Sequence, residues 1–150
     1  MMSSLIFKRK PMPVIPDHRP MYKLSFILLI LNECSIGGKS SLLRLHLFNW
    51  AMKEKKRTKL LLMSAENKNI EFDIWGMDPT VNFALNHGVA NGLISKIGTG
   101  YKISNKGVDF LTKYNIKEEF NKETEIINKV KKTITQKMVD EVALRWKNEA

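Results

Sequence analysis

Apolar residues predominate in residues 20–34, the stretch PMYKLSFILLILNEC, and occupy every position from Phe26 to Leu31. Its first residue, Pro20, suits the first turn of a helix, because that turn needs no amide donor from it. A helix that is apolar on all faces is surrounded by other elements, so the pattern predicts a buried helix. Gly37 and Gly38 follow, and glycine readily adopts the left-handed conformation that ends helices.

The next amphipathic stretch predicts a second helix over residues 41–57, which Ser40 or Ser41 can cap. We expect this helix to end in the basic run KEKKRTK, where the helix dipole favours cations. The stretch TKLLLMSA then predicts a short helix, and IEFDIW, residues 70–75, predicts a short strand.

The strongest pattern lies in residues 78–115. Asp78 followed by a proline is a good helix start, with the carboxylate as cap and the proline in the first turn. Two β-prone runs flank the sequence GTG at residues 98–100 and predict a hairpin, after which Ser104 can cap another helix. Helix, hairpin and helix in this order are the layout of a winged helix. We therefore expect a mainly α fold with a small β-hairpin.

The sequence predicts three parts. Residues 1–19 contain three prolines, which favour extended backbone, and form an apolar and basic N-terminal arm that lies on this domain or on a partner. Residues 20–115 form the winged-helix-like domain. Residues 116–150 form a C-terminal extension of two charged amphipathic helices, about 117–132 and 135–147, which pack on this domain or clasp another chain.

The charge of the chain indicates which classes of partner it attracts. The chain has 25 Lys and Arg against 15 Asp and Glu, a net charge of +10 and a pI near 9.7. Its first 115 residues hold 17 of the basic and 8 of the acidic side chains, so the surplus belongs to the arm and the main domain. Such a field attracts nucleic acid or an acidic protein and does not choose between them.

The cellular compartment follows from what the sequence lacks. No apolar stretch is long enough to span a bilayer, and the N-terminal residues have no apolar region typical of a secretory signal. The single cysteine, Cys34, forms no internal disulfide and suits a reducing cytosol. We therefore expect a cytoplasmic protein with no membrane partner.

The stretch CSIGGKSS raises the question of a phosphate-binding loop. That motif requires glycine five residues before Gly38, where this chain has Glu33, whose carboxylate would repel phosphate. The run before it is also predicted to be a helix rather than a strand. We therefore interpret the stretch as a turn between helices, and keep a phosphate-binding enzyme that uses Gly38, Lys39 and Ser40 as a third hypothesis.

Other chemistry-bearing residues form no catalytic or metal-binding pattern. His18, His46 and His87 are far apart, and one cysteine adds no metal-ligand spacing. No serine or aspartate stands in a nucleophile motif or triad signature. We therefore expect a protein that is not an enzyme and takes no cofactor.

A DNA-binding winged helix inserts its third helix into the major groove and touches the backbone with its hairpin. Here the corresponding helix is the one that starts at Asp78, and it offers only Asn82, Asn86 and His87, which are neutral. Candidate DNA-binding residues therefore lie in the basic run at the end of the second helix and around the hairpin: Lys53, Lys55, Lys56, Arg57, Lys59, Lys96, Lys102 and Lys106. The alternative is that these residues are ordinary solvated side chains with no DNA contact.

Three stretches carry a family resemblance: RPMYKLSFILLILNECSIGGKSSLLRLHLFNWAMK, GVANGLISKIGTGYKISNKGVDFL and ITQKMVDEVALRW. From Arg19 to Trp146 the chain resembles the small middle component of bacterial ABC-three-component and Lamassu-type antiphage defence systems. The resemblance implies a non-catalytic winged-helix subunit that docks on an SMC/Rad50-like coiled-coil ATPase and links it to an effector, often a nuclease.

The first of these stretches is the most distinctive, and it contains residue types that anchor protein interfaces. Its polar and amphipathic members are the candidate partner-binding residues: Arg19, Tyr22, Lys39, Arg44, His46, Asn49 and Trp50. For Trp50, packing in the core is the alternative. The first functional hypothesis is therefore an assembly subunit of a defence complex, with double-stranded DNA as a candidate further partner. The alternative, favoured by the net charge and the predicted hairpin, is a winged-helix transcription regulator.

Overall fold

The computed structural model describes residues 20–149, with side-chain positions for residues 21–147. The predicted arm, residues 1–19, lies outside the described residues. The described part is mainly helical with a small antiparallel sheet, which confirms the predicted fold class. None of its helices combines the length and apolar character needed to cross a membrane.

The helices follow one another with short connections, and their bounds are α1 (Pro20–Glu33), α2 (Leu42–Ala51), α3 (Lys55–Asn67), α4 (Pro79–Ala90), α5 (Asn105–Lys113), α6 (Ile116–Glu119), α7 (Asn121–Val130) and α8 (Gln136–Glu149). A single 3-10 turn, Ile36–Gly38, follows α1. The strands are β1 (Lys39–Ser41), β2 (Ile94–Ile97) and β3 (Gly100–Ile103).

Helix α1 lies at the centre of the fold, as its sequence predicts. Every residue from Lys23 to Leu31 is buried, and α4, α5 and α7 all pack against this helix. Burial of one Leu or Ile side chain contributes about 1.5–3 kcal/mol, so α1 supplies a large share of the stability of the core. After it, Gly37 and Gly38 have φ of 68° and 72°, which confirms the predicted glycine turn.

The sheet has the strand order β1-β3-β2. Ile94 lies opposite Ile103, and both are buried. The predicted hairpin is therefore confirmed. Strand β1 is absent from the sequence prediction because Lys-Ser-Ser has no β-branched or aromatic side chain to signal it. It is a strand because β3 pairs with it, with Ser40 opposite Tyr101.

The prediction of a single helix over residues 41–57 is wrong, because α2 ends at Ala51 and a separate helix, α3, begins at Lys55. Arg57 and Thr58 donate side-chain hydrogen bonds to the carbonyls of Trp50 and Ala51, at 3.3 Å and 3.0 Å. The last carbonyls of a helix have no donor within it, and here side chains of α3 donate to two of them, which stabilises the end of α2 at this point. The basic run therefore lies at the start of α3, where the helix dipole disfavours cations, and not at the end of α2.

Two further predictions need correction. Residues 70–75 form no strand, because this segment is held by side chains instead, with Trp75 Nε1 donating to the carbonyl of Leu43 at 3.1 Å. The helix predicted over 117–132 is divided into α6 and α7 at Phe120, whose ring stacks on Tyr22 with centroids 4.8 Å apart. That contact fixes Phe120 outside helical geometry, at φ −106° and ψ 47°.

The C-terminal extension packs on the rest of this chain. Ile134, Val139 and Val142 are buried in the same core as α1, and α7 packs against α3. Glu33, at the end of α1, forms ion pairs with Lys117 at 2.9 Å and with Lys131 at 3.8 Å. Of the two arrangements the sequence leaves open, the structure shows packing on this chain.

Candidate functional site

Polar side chains from α1 and α2 form a network at the start of α4. Lys23, which is buried, donates a hydrogen bond to Asn49 Oδ1. Asn49 donates to the carboxylate of Asp78 at 3.3 Å, and Lys53 donates to the same oxygen at 2.8 Å. The backbone amide of Asp78 donates to His46 Nδ1 at 3.2 Å. The network thus joins three helices through one carboxylate.

Asp78 is the N-cap of α4, as its sequence predicts, and accepts from the backbone amide of Thr80 at 3.0 Å. Burial pushes the pKa of the Asp78 carboxyl up. Hydrogen bonds from Lys53, Thr80 and Asn49 outweigh burial and hold this pKa below its usual range. The carboxylate is therefore a stable anion whose oxygens already have donors.

His46 is buried, and burial lowers its pKa, while the hydrogen bond to Asn82 and the charge of Asp78 act in the opposite direction. Because Nδ1 accepts from the Asp78 amide, the neutral ring carries its proton on Nε2, which donates to Asn82 Oδ1 at 3.2 Å. Each group of the network has its partner inside the fold. The arrangement therefore orients α4 on α2 and α1.

Arg44 is buried and connects distant parts of the chain. Its Nε donates to the carbonyl of Ile134 at 2.9 Å, and one terminal nitrogen donates to Ser35 Oγ at 2.8 Å and Ser40 Oγ at 3.3 Å. The other terminal nitrogen donates to the carbonyl of Cys34. Burial lowers the pKa of Arg44 to about 10. It forms no ion pair with a carboxylate of the described residues.

Trp50 is half-buried in a group of aromatic rings. The guanidinium of Arg57 lies 4.4 Å from the centroid of its ring, and the centroid of Phe72 is 5.3 Å away. Phe72 contacts Trp75, which in turn contacts Trp146 of α8 at 4.9 Å. Trp50 therefore has extensive contacts within the fold, and Arg57 covers it.

The other candidate partner-binding residues are spread over the molecule. Tyr22 donates from its hydroxyl to Glu123 at 2.7 Å and is half-buried, whereas Lys39 is exposed on β1. Arg19 lies outside the described residues. The structure thus brings His46 and Asn49 together in the network, while Tyr22, Lys39 and Arg44 lie elsewhere.

The basic run places three exposed lysines, Lys55, Lys56 and Lys59, in the first two turns of α3. None of them forms a hydrogen bond or ion pair with a described residue. Lys53 differs, since it forms an ion pair with Asp78. Arg57 also differs, because it lies over the ring of Trp50 and forms an ion pair with Glu54 at 3.3 Å. The three lysines therefore extend into solvent at the positive end of the helix dipole.

The candidate lysines of the hairpin are exposed but not equivalent. Lys96 lies over the ring of Tyr101, with 5.5 Å to the centroid, and Lys106 donates to the carbonyl of Asn91 at 2.9 Å. Lys102 makes no hydrogen bond, ion pair or ring contact with a described residue and lies opposite Lys39 across the β1–β3 pair. Of these lysines, Lys102 is therefore the most available to a ligand.

The exposed face of α4 is a feature that the sequence analysis missed. Phe83 is 69% exposed, and Asn82, Asn86 and His87 share its side of the helix. No residue of α4 is Lys, Arg, Asp or Glu. Ile74 and Met77, just before the helix, are also 69% and 59% exposed. The signal was available, because Phe83 falls outside the stripe of Val81, Leu85 and Gly88 that faces the core.

Among residues 20–149, no group of three or more His, Cys, Asp or Glu side chains is arranged to hold a metal ion. Comparisons with protein-family models, curated proteins and solved structures found no match to this chain. The interaction surfaces described above are therefore interpreted from their own geometry and chemistry.

Proposed function

We propose that this chain is a non-catalytic subunit of a protein complex and that α4 is its docking helix. Its partner in this proposal is an SMC/Rad50-like coiled-coil ATPase, with an effector such as a nuclease as the third component of an antiphage defence system. The resemblance of the sequence motivates the identity of the partners. The observation that carries protein binding is the uncharged, aromatic face of α4.

In a winged-helix-like arrangement α4 corresponds to the helix that enters DNA. A helix with that task needs cations, because most of the contacts of such proteins go to phosphates. Helix α4 itself contains no Lys or Arg, and it exposes an aromatic ring of the kind that forms the centre of protein interfaces. The network around Asp78 holds the helix rigidly, so little ordering is required when a partner binds.

The test is recovery of the tagged protein from its native host, followed by mass spectrometry. Wild-type protein should bring down a large coiled-coil ATPase and an effector-like protein. Phe83→Glu should lose both, because the substitution places a charge at the centre of the apolar face. Val108→Glu on α5 is the matched control, since it adds the same charge at a position that is 37% exposed, and it should retain both partners.

Both substitutions lie on the surface, so circular dichroism should show unchanged folding. Recovery of the ATPase with Phe83→Glu at the wild-type level would exclude α4 as the docking helix. Recovery of the wild type without any ATPase, but with specific DNA fragments enriched, would reject the assembly role in favour of a transcription regulator.

Direct DNA binding is the second candidate function, and Lys55, Lys56 and Lys59 favour it. Lys55 and Lys56 lie in the first turn of α3, where each cation is unfavourable for helix stability by about 0.3–1 kcal/mol, and a duplex would neutralise all three lysines. Each phosphate contact contributes about 0.9 to the slope of log affinity against log salt. Replacing all three lysines with glutamine should therefore lower the slope by up to about 3, measured by fluorescence polarisation with a 20-base-pair duplex.

A further inference from the structure

An open cleft of about 540 Å³ lies between β1, the turn of the hairpin and the start of α8. Its walls come from three separate parts of the chain. Lys39 and Ile36 lie on one side, Ile97 and Tyr101 on the hairpin side, and Lys132 on the side of the C-terminal extension. Sites for ligands have volumes of about 300–1,000 Å³, so the cleft, here called the basic cleft, is large enough to hold several side chains.

The charges of the basic cleft do not balance. Lys39, Lys132 and Arg44 line it, against the single carboxylate of Asp140. That carboxylate already accepts a hydrogen bond from the side chain of Gln136 at 2.9 Å. Gln136 is itself held by Ser41, through bonds of 3.1 Å and 2.9 Å. The wall is therefore fixed, and it leaves two positive charges in excess.

The register of the sheet places another lysine, Lys102, next to Lys39, although Lys102 does not itself line the cleft. Lys39 lies directly opposite Lys102 in the β1–β3 pair, and both are exposed. Like charges directly opposite each other destabilise a sheet. Neither Lys39, Lys102 nor Lys132 has an ion pair among the described residues. An anion bound beside Lys39 would remove this repulsion.

Apolar side chains form the edge of the basic cleft. Ile36, in the turn before β1, is 65% exposed, and Ile97, at the end of β2, is 47% exposed. Both side chains line the cleft. Water-exposed aliphatic groups next to unpaired cations fit a ligand that has aliphatic groups next to carboxylates. A duplex offers phosphate but no aliphatic groups of this kind, so the composition of the cleft favours a peptide.

We propose that the basic cleft binds an extended segment of a partner protein in which acidic and aliphatic side chains are neighbours. The N-terminal residues of this chain are not suitable occupants, because Lys8, Arg9, Lys10 and Arg19 outnumber the acidic Asp17. This inference extends the proposed function, since it gives the subunit a second contact, separate from α4, whose chemistry is charge complementarity.

The test measures fluorescence polarisation of a fluorescein-labelled ten-residue peptide that alternates glutamate and leucine. The variant is Lys39→Gln with Lys132→Gln, and the matched control is Lys122→Gln with Lys147→Gln, which has the same net charge. All four lysines are exposed and make no hydrogen bond or ion pair with a described residue. Both double variants should therefore unfold at the wild-type temperature.

Wild-type protein should bind this peptide saturably, and the cleft variant should raise the Kd at least tenfold. The control variant should change the Kd less than twofold. A peptide that alternates glutamine and leucine should bind at least tenfold more weakly than the acidic one. Phe83→Glu should bind the acidic peptide normally, so failure of the basic cleft and failure of α4 as the docking helix give different results.

Three results would overturn the proposal. The wild type could bind the acidic peptide no better than the glutamine peptide. The two double variants could lose affinity equally, which would show that only the total charge matters. A 20-base-pair duplex could displace the peptide and depend more strongly on Lys39 and Lys132, which would assign the basic cleft to nucleic acid.

Discussion

Replacing Arg44 with methionine removes a charge that the fold encloses, while keeping an unbranched side chain that fills similar space. Arg44 joins the end of α1 to the segment between α7 and α8, through the carbonyls of Cys34 and Ile134. The residues it connects are about 100 positions apart in the chain. We therefore expect the substitution to loosen the C-terminal extension as well as the turn after α1.

The magnitude follows from two opposing effects. The four hydrogen bonds of Arg44 each contribute at least about 1.5 kcal/mol net of desolvation, or roughly 6 kcal/mol together. Burial of the methionine side chain in the variant returns up to about 3 kcal/mol. Arg44→Met should therefore lower the free energy of unfolding by about 3 kcal/mol.

The assay is urea unfolding followed by circular dichroism, with thermal unfolding as a second measure. At about 2–4 °C per kcal/mol for a chain of this size, Tm should fall by about 6–12 °C. Arg145→Met is the control, because Arg145 pairs at 3.4 Å with an Asp73 whose side chain is 89% exposed. Such a pair contributes at most about 1 kcal/mol. If both variants unfold at the same urea concentration, the stabilising role assigned to Arg44 is incorrect.

Three more predictions concern single buried sites. Burial raises the pKa of the Cys34 thiol to about 12, so iodoacetamide at pH 8 should modify Cys34 only after unfolding, as read by mass spectrometry; rapid modification of the folded protein would contradict this. The pKa of His46 is lowered from 6.5 by burial, so below pH 6.5 the unfolded chain binds a proton that the folded protein resists. The free energy of unfolding should then fall between pH 6.5 and 5, and His46→Gln should remove this part of the pH dependence in urea titrations; an unchanged slope would refute it. In Gly107→Ala the new Cβ would lie 2.4 Å from the carbonyl oxygen of Leu93, so Tm should drop by several degrees, as overpacking costs about 1–3 kcal/mol, whereas a Tm equal to that of Thr112→Ala would argue against this contact.

Features that depend on neighbouring residues could be predicted from the sequence. Asp78 caps α4, and Ser104 caps α5 by accepting from the amide of Gly107 at 3.0 Å. These bonds join residues two or three positions apart, so the local sequence contains all the information they need. Burial of α1 was also predictable, because none of its faces is polar.

Features that depend on distant residues could not be predicted in the same way. Strand β1 requires β3, and the break after Ala51 requires side chains from the next helix. The candidate site shows the same limit. The buried state of Arg44, His46 and Asn49 depends on acceptors and donors supplied by other elements, which the pattern of α2 alone does not reveal.

A ribosome completes α1 long before it makes the helices that bury it. Helices α4, α5 and α7 begin at Pro79, Asn105 and Asn121, and synthesis at roughly 5–20 residues per second leaves an interval on the order of 5–20 s between α1 and α7. During that interval the run from Leu24 to Leu31 has no complete core to enter and can associate with other nascent chains. Yield during expression is therefore expected to depend on chaperones that act during translation, more than on conditions chosen after lysis.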